Sequence, residues 1–98
     1  MSADAFRRRA DVLWRRSLDA IVLLPAGADD VITLAGTGID VWELLDTWRT
    51  VETLSEVLAG RYGAEPAVVA RDVDALISEL SALSALELAA DSGGPATG

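Results

Sequence analysis

Val69, Val73, Leu76, Leu80 and Leu83 recur at intervals of four, three, four and three residues. That spacing lays one apolar stripe along a helix, and Ile77 widens it. Pro66 stands where a helix can open with little penalty, because the N–H groups of a first turn lack intrahelical partners anyway. A helix with one apolar stripe must bury it against other elements, so the remaining chain has to complete a core. The chain has 98 residues, the length of one domain. It is 51% hydrophobic and 24% charged, the profile of a folded domain rather than a disordered segment.

Upstream, two more helices are legible. Thr50 is placed to cap a second helix, with Glu52 in its first turn and Gly63 as its stop. Val51, Leu54, Val57, Leu58 and Tyr62 form its apolar face. Thr37, with Asp40 three residues on, is expected to cap a first helix whose stripe is Val41, Leu44, Leu45 and Trp48. Before Thr37 the signals are those of strands. Val12 to Ser17 is rich in β-branched and aromatic character, and Leu18-Asp19 makes a tight link. The apolar run Ile21-Val22-Leu23-Leu24, ended by Pro25, reads as a strand covered on both faces. Residues 25–30 are turn chemistry, and Val31 to Leu34 reads as the next strand of a hairpin.

The expected order is three strands and then three helices: an α+β domain with a three-stranded antiparallel sheet, winged-helix-like in layout. Residues 1–11 read as a mobile Arg-rich arm, 12–90 as the domain, and 91–98, with three glycines and a proline, as a disordered tail. Leu86 and Leu88 return the chain toward the core.

Composition restricts the chemistry. The chain has no histidine and no cysteine, which removes imidazole and thiolate metal sites, disulfides and Ser-His-Asp or Cys-His catalysis. Eight arginines against sixteen acids leave a net charge of −8. Residues 1–16 hold five arginines and two acids (5 − 2 = +3), and residues 17–98 hold three arginines and fourteen acids (3 − 14 = −11). A nucleic-acid binder needs clustered basic residues to neutralise phosphates, and this body would repel DNA. A basic or apolar partner suits it better. The first residues carry arginines but no apolar segment of a secretory signal follows, so a cytoplasmic location is expected, with no membrane span.

The remaining motifs have structural explanations. Glu65, Asp72 and Glu79 fall seven residues apart and share a helix face, as paired acid–base carboxylates could, but a solvated face opposite an apolar stripe accounts for them. Asp29-Asp30 lacks the rest of a calcium loop and reads as a turn. Ser17-Leu18-Asp19 is in the wrong order for a carrier-protein attachment site. Gly36-Thr37-Gly38 is too short for a phosphate loop and reads as strand exit and cap. Trp42 and Trp48 are expected in the core, whereas Trp14 suits either core or interface. No catalytic residue, metal ligand or cofactor is expected.

Several segments together resemble the PqqD-like family. They are Trp14-Arg15-Arg16, Ile21-Val22-Leu23-Leu24, the stretch from Thr37 ending Val41-Trp42-Glu43-Leu44-Leu45-Asp46, then Thr50-Val51-Glu52-Thr53-Leu54 and Arg71-Asp72-Val73-Asp74-Ala75-Leu76-Ile77-Ser78-Glu79-Leu80. Their order and spacing carry the resemblance, which runs from about Val12 to Leu88. It implies a RiPP recognition element, a free-standing, non-catalytic module that holds the leader segment of a ribosomally synthesised precursor peptide. The implied partners are that leader and a modifying enzyme, whether a radical enzyme, a cyclase or a leader peptidase. In such domains the leader adds to the third strand and lies against the third helix. Carried to this sequence, the peptide-binding residues are Val31, Ile32, Thr33 and Leu34 on the strand and Val68, Asp72, Ala75, Leu76 and Glu79 on the helix. Strand alternation turns one pair of the four toward the core and leaves open which pair. The family often has a glycine after the last Leu-rich turn, where this chain has Ser84-Ala85. The competing reading of the same layout is a winged-helix DNA-binding transcription regulator. It would need a basic third helix, and Arg71 stands there against Asp72, Asp74 and Glu79.

Overall fold

The computed structural model describes residues 4–89; the tail expected at 91–98 lies outside them. The elements in order are β1 (Ala5–Arg8), β2 (Leu13–Arg16), β3 (Ile21–Leu24), β4 (Ile32–Leu34), α1 (Thr37–Leu44), β5 (Arg49–Thr50), α2 (Val51–Tyr62), α3 (Pro66–Ala82) and β6 (Leu86–Ala89). They form two antiparallel three-stranded sheets, β2-β3-β4 and β5-β1-β6, with the three helices.

The first sheet is the expected one. Ile21 pairs with Leu34 and Leu23 with Ile32, and these four side chains face the core. Val31 and Thr33 therefore face away, which settles the alternation. Gly27 takes a positive φ of 79° in the connecting turn. The expectation that β3 is covered on both faces is corrected: Val22 is exposed, beside Leu13 at 70% and Val31 at 59% exposure. One face of this short sheet receives the core, and its outer face meets solvent.

The second sheet corrects the reading of residues 1–11 as a mobile arm. β1 is its central strand: Ala5 and Phe6 pair with Thr50 and Arg49 on one side, and Ala5 to Arg8 pair with Ala89 to Leu86 on the other. The physical reason lies in the arginines. Arg7 faces Glu87 across the strands in an ion pair at 3.0 Å and lies 4.6 Å over the Trp48 ring. Arg8 lies 5.0 Å from the Trp14 ring and 5.7 Å from the Trp42 ring, which contact each other edge to face at 6.1 Å. The guanidinium groups thus have aromatic faces and a carboxylate to sit on, and their stems cover apolar surface.

The helices follow the sequence signals with local exceptions. Gly36, at φ 58°, is the N-cap of α1 and Thr37 is its first residue, so Thr37 does not cap it. α1 ends at Leu44, which leaves Trp48 outside the helix against Arg7 and not in the core. Thr50 caps α2: its Oγ1 accepts the Thr53 N–H at 3.1 Å. Gly63 closes α2 in the left-handed region. Tyr62 is exposed and not buried; its hydroxyl donates to Asp40, which also takes Arg61 at 3.3 Å and so ties α1 to α2. On α3 the buried residues are Val69, Val73, Ile77 and Leu80. Ile77, not Leu76, occupies the core row, and Leu76 and Leu83 rotate toward the helix flank. The core is closed by Ile21, Leu23, Trp42, Leu45, Leu54 and Leu58, all fully buried.

α3 ends in a Schellman turn. The Ala85 N–H reaches Leu80 O at 2.9 Å and the Ser84 N–H reaches Ser81 O at 3.0 Å. That geometry requires a left-handed residue after the cap, and Ser84 fills it at φ 61°. The turn delivers Ala85 and Leu86, both buried, into β6.

Candidate functional site

Four strands lie at sheet edges: β2, β4, β5 and β6. An unpaired edge offers backbone N–H and C=O groups to another chain, and charged side chains are the usual guard against that. β2 carries Arg15 and Arg16, β5 carries Arg49, and β6 carries Glu87. β4, Ile32-Thr33-Leu34, has neither charge nor proline and pairs only with β3. It is the edge open to pairing.

Beside that edge lies a groove of about 310 Å³. One wall is Thr33, Leu34 and Ala35, the end is Thr37, Gly38 and Val41 at the start of α1, and the other wall is Asp72, Val73, Leu76 and Glu79 of α3. The α3 wall follows from helical geometry. Residues 72, 76 and 79 fall at i, i+4 and i+7, one row beside the buried row 69, 73, 77 and 80. Leu76 is half-buried in this row between the exposed Asp72 and Glu79.

Gly38 sets the depth of the groove. A Cβ on it would stand 3.3 Å from Leu34 Cβ and 3.8 Å from Leu76 Cδ2. Its missing side chain lets the start of α1 sit close to both walls.

Thr33, Leu34, Asp72, Leu76 and Glu79, expected from the sequence, meet in this groove. Ile32 is turned into the core. Val31 lies on the opposite face of the sheet, in a larger apolar concavity of about 640 Å³ with Leu13, Val22 and Leu24. Val68 and Ala75 are exposed on α3 and do not line the groove. Sequence reasoning missed Ala35, Thr37, Gly38 and Val41. The Gly36-Thr37-Gly38 segment was the available signal, but helix entry explained it fully.

No ion pair among the described residues engages Asp72 or Glu79. The perturbed groups lie elsewhere. The Arg9 hydrogen bond holds the Asp11 carboxyl below its ordinary range, and the Asp40 carboxylate raises the Tyr62 hydroxyl. Among the described residues no cluster of acidic side chains could hold a metal ion, and no helix is long and apolar enough to cross a membrane.

The model of the family "Coenzyme PQQ synthesis protein D (PqqD)" matches residues 20–86, more than half of the chain. The chain belongs to the PqqD family. The match spans the β3–β4 hairpin, all three helices and the turn into β6. Among solved structures, the chain is similar to the PqqD truncation of Methylobacterium extorquens PqqCD, described as a functional, stand-alone RiPP recognition element. The TM-score is 0.70 at 25% identity, over 85% of this chain and 88% of that one. It also shares its fold with TbiB1, solved in complex with the TbiA(β) leader peptide, with a TM-score of 0.74 at 22% identity over 93% and 99% of the two chains. No curated protein sequence matches the chain. The PqqD-family fold is thus a mixed α/β domain with antiparallel sheets and three helices.

Proposed function

We propose that this PqqD-family protein is a non-catalytic recognition module for the leader segment of a ribosomally synthesised precursor peptide. The leader pairs antiparallel with β4 and lies against α3, and the module presents it to a modifying enzyme or leader peptidase. The winged-helix-like layout serves as a peptide platform and works without metal or cofactor. The observation that carries this reading is the one uncharged sheet edge among the described residues, opening onto a groove walled by α3. Strand addition supplies affinity through main-chain hydrogen bonds, and alternate side chains entering the groove supply selectivity. Family membership and the leader-bound state of TbiB1 support the same assignment. DNA binding is disfavoured by the acids on the exposed side of α3.

The test is an amide-shift titration with the leader of a precursor peptide encoded beside this gene. Shifts are expected at residues 32–38 and 72–79. A pattern confined to α2, or tight duplex binding in a low-salt mobility shift, would overturn the proposal. Gly38→Val should weaken binding at least about tenfold by narrowing the groove, because groove anchors carry most of such affinity. A folded Gly38→Val protein with normal affinity would place the peptide elsewhere.

A further inference from the structure

The α3 wall of the groove has a charge pattern that specifies its occupant. Asp72 and Glu79 stand on either side of Leu76, exposed and outside every ion pair among the described residues. The other acids of the domain that face arginines are already engaged: Asp11 with Arg9, Asp40 with Arg61, Glu43 with Arg16 and Glu87 with Arg7. Arg71 and Asp74 lie off the 72-76-79 row and do not line the groove. Between the two carboxylates the groove is bounded by Leu34, Val41 and Leu76 and kept open by Gly38.

We infer that the groove selects an extended peptide whose inward-facing side chains read cationic, small apolar, cationic. This rests on the groove being the peptide site, and it adds the chemistry of the peptide that enters. The spacing follows from geometry. Seven helical residues separate Asp72 from Glu79 by about 10.5 Å along α3, at 1.5 Å per residue. Inward-facing residues of a strand recur every second position, so two of them four apart are separated by about 13 Å. For a segment lying along α3, an apolar residue over Leu76 leaves its neighbours at −2 and +2 slightly beyond the carboxylates. The flexible stems of Lys and Arg absorb that difference. Neutral or acidic residues at those positions would leave the carboxylates unpaired or opposed. The selected pattern is Lys/Arg-x-apolar-x-Lys/Arg, and the net charge of −8 steers such peptides toward the domain.

Selection of displayed random peptides against the folded protein tests this directly. Binders are first sorted by whether their amide shifts fall at residues 32–38 and 72–79. Groove binders should be enriched in Lys or Arg at the two flanking positions. A double reversal, D72K/E79K, at positions exposed on the helix, should enrich Asp or Glu at the same places. With one selected synthetic peptide, D72N/E79Q should weaken binding about three- to tenfold at low salt, the range of two exposed charge pairs. It should also flatten the salt dependence. Groove binders without basic enrichment, or an unchanged preference after the reversal, would overturn this inference and leave the groove as a peptide site. Binders that all map outside the groove would overturn the inference and the site together.

Discussion

The two sheets are built on different principles. In β2-β3-β4 each strand pairs with its neighbour in sequence, through short turns, and the inward side chains of β3 and β4 are aliphatic, with Trp14 of β2 beside them. In β5-β1-β6 the central strand comes from the start of the chain and its partners from the middle and the end; Arg7 and Glu87 are 80 residues apart. That sheet is held by one cross-strand ion pair and by Arg7 on the Trp48 face, and Arg8 ties it to Trp14 of β2 and Trp42 of α1. The first sheet leaves an uncharged edge for a partner. The second closes the ends of the chain over the core. On the proposed reading, binding and closure fall to separate sheets, so each can be disturbed with different consequences.

Removing residues 1–9 should have the largest effect. It takes the central strand from the second sheet and uncovers Leu86 and Ala85. It also deletes Phe6, which packs against the core. A loss of even 2–3 kcal/mol lowers the melting temperature of a domain this size by more than about 10 °C. A truncated chain that melts like the full one would restore the reading of an arm. In a sample kept folded by low temperature, the β4 groove should still take peptide, because none of its walls comes from β1.

Arg8→Ala is the next test. It removes the cation shared by Trp14 and Trp42 and should cost about 1–2 kcal/mol, the range for partly desolvated cation–π contacts. Urea denaturation reads the loss, and peptide affinity should stay unchanged. A matching drop in affinity would mean that the two sheets are coupled through the Trp14–Trp42 pair.

These contrasts explain what the sequence discloses. The hairpin and helices are announced by residues acting on their immediate neighbours: Pro25 and Gly27 in the turn, Thr50 and Gly63 at the ends of α2, Pro66 at the start of α3. The second sheet has no such local signal. Ala-Phe-Arg-Arg does not read as a strand until Glu87, Trp48 and the indoles of Trp14 and Trp42 are brought to it. On α3 the row was legible but not its rotation, since Leu76 and Ile77 are equally apolar and only packing decides that Ile77 goes inside. That rotation places Leu76 in the groove. It also leaves Ala75 outside the groove, whose space is kept open by Gly38 on the opposite side.

Ser84→Gly should produce a smaller change of the opposite sign. Ser84 occupies the left-handed position of the Schellman turn that feeds β6, where a side chain is disfavoured by about 1 kcal/mol. Glycine there should raise the melting temperature by a few degrees. The gain should appear as slower unfolding if the second sheet forms after the folding transition state, and as faster folding if it forms before. The first outcome fits a sheet whose strands are far apart in sequence. The second would mean that the second sheet is already formed in the folding transition state.

The smallest effect is expected where β1 leads toward β2. Arg9 donates to both Asp11 oxygens, at 2.9 and 3.0 Å, on the exposed surface. This pair holds the Asp11 carboxyl below its ordinary range and raises the Arg9 guanidinium. A carboxylate with a lower pKa in the folded state adds stability that is fully present above its unfolded value, near pH 3.9. That contribution is lost as the pH falls through the folded value. Asp11→Asn should therefore leave neutral-pH stability almost unchanged and slightly flatten the acid side of the stability profile, with the difference fading in high salt. A large loss at neutral pH would instead show that the link between the sheets depends on this pair. The backbone bonds from Arg8 N–H to Leu45 O at 2.9 Å and from Arg9 N–H to Ala85 O at 3.0 Å argue that it does not. They anchor the same segment through groups that no side-chain substitution removes.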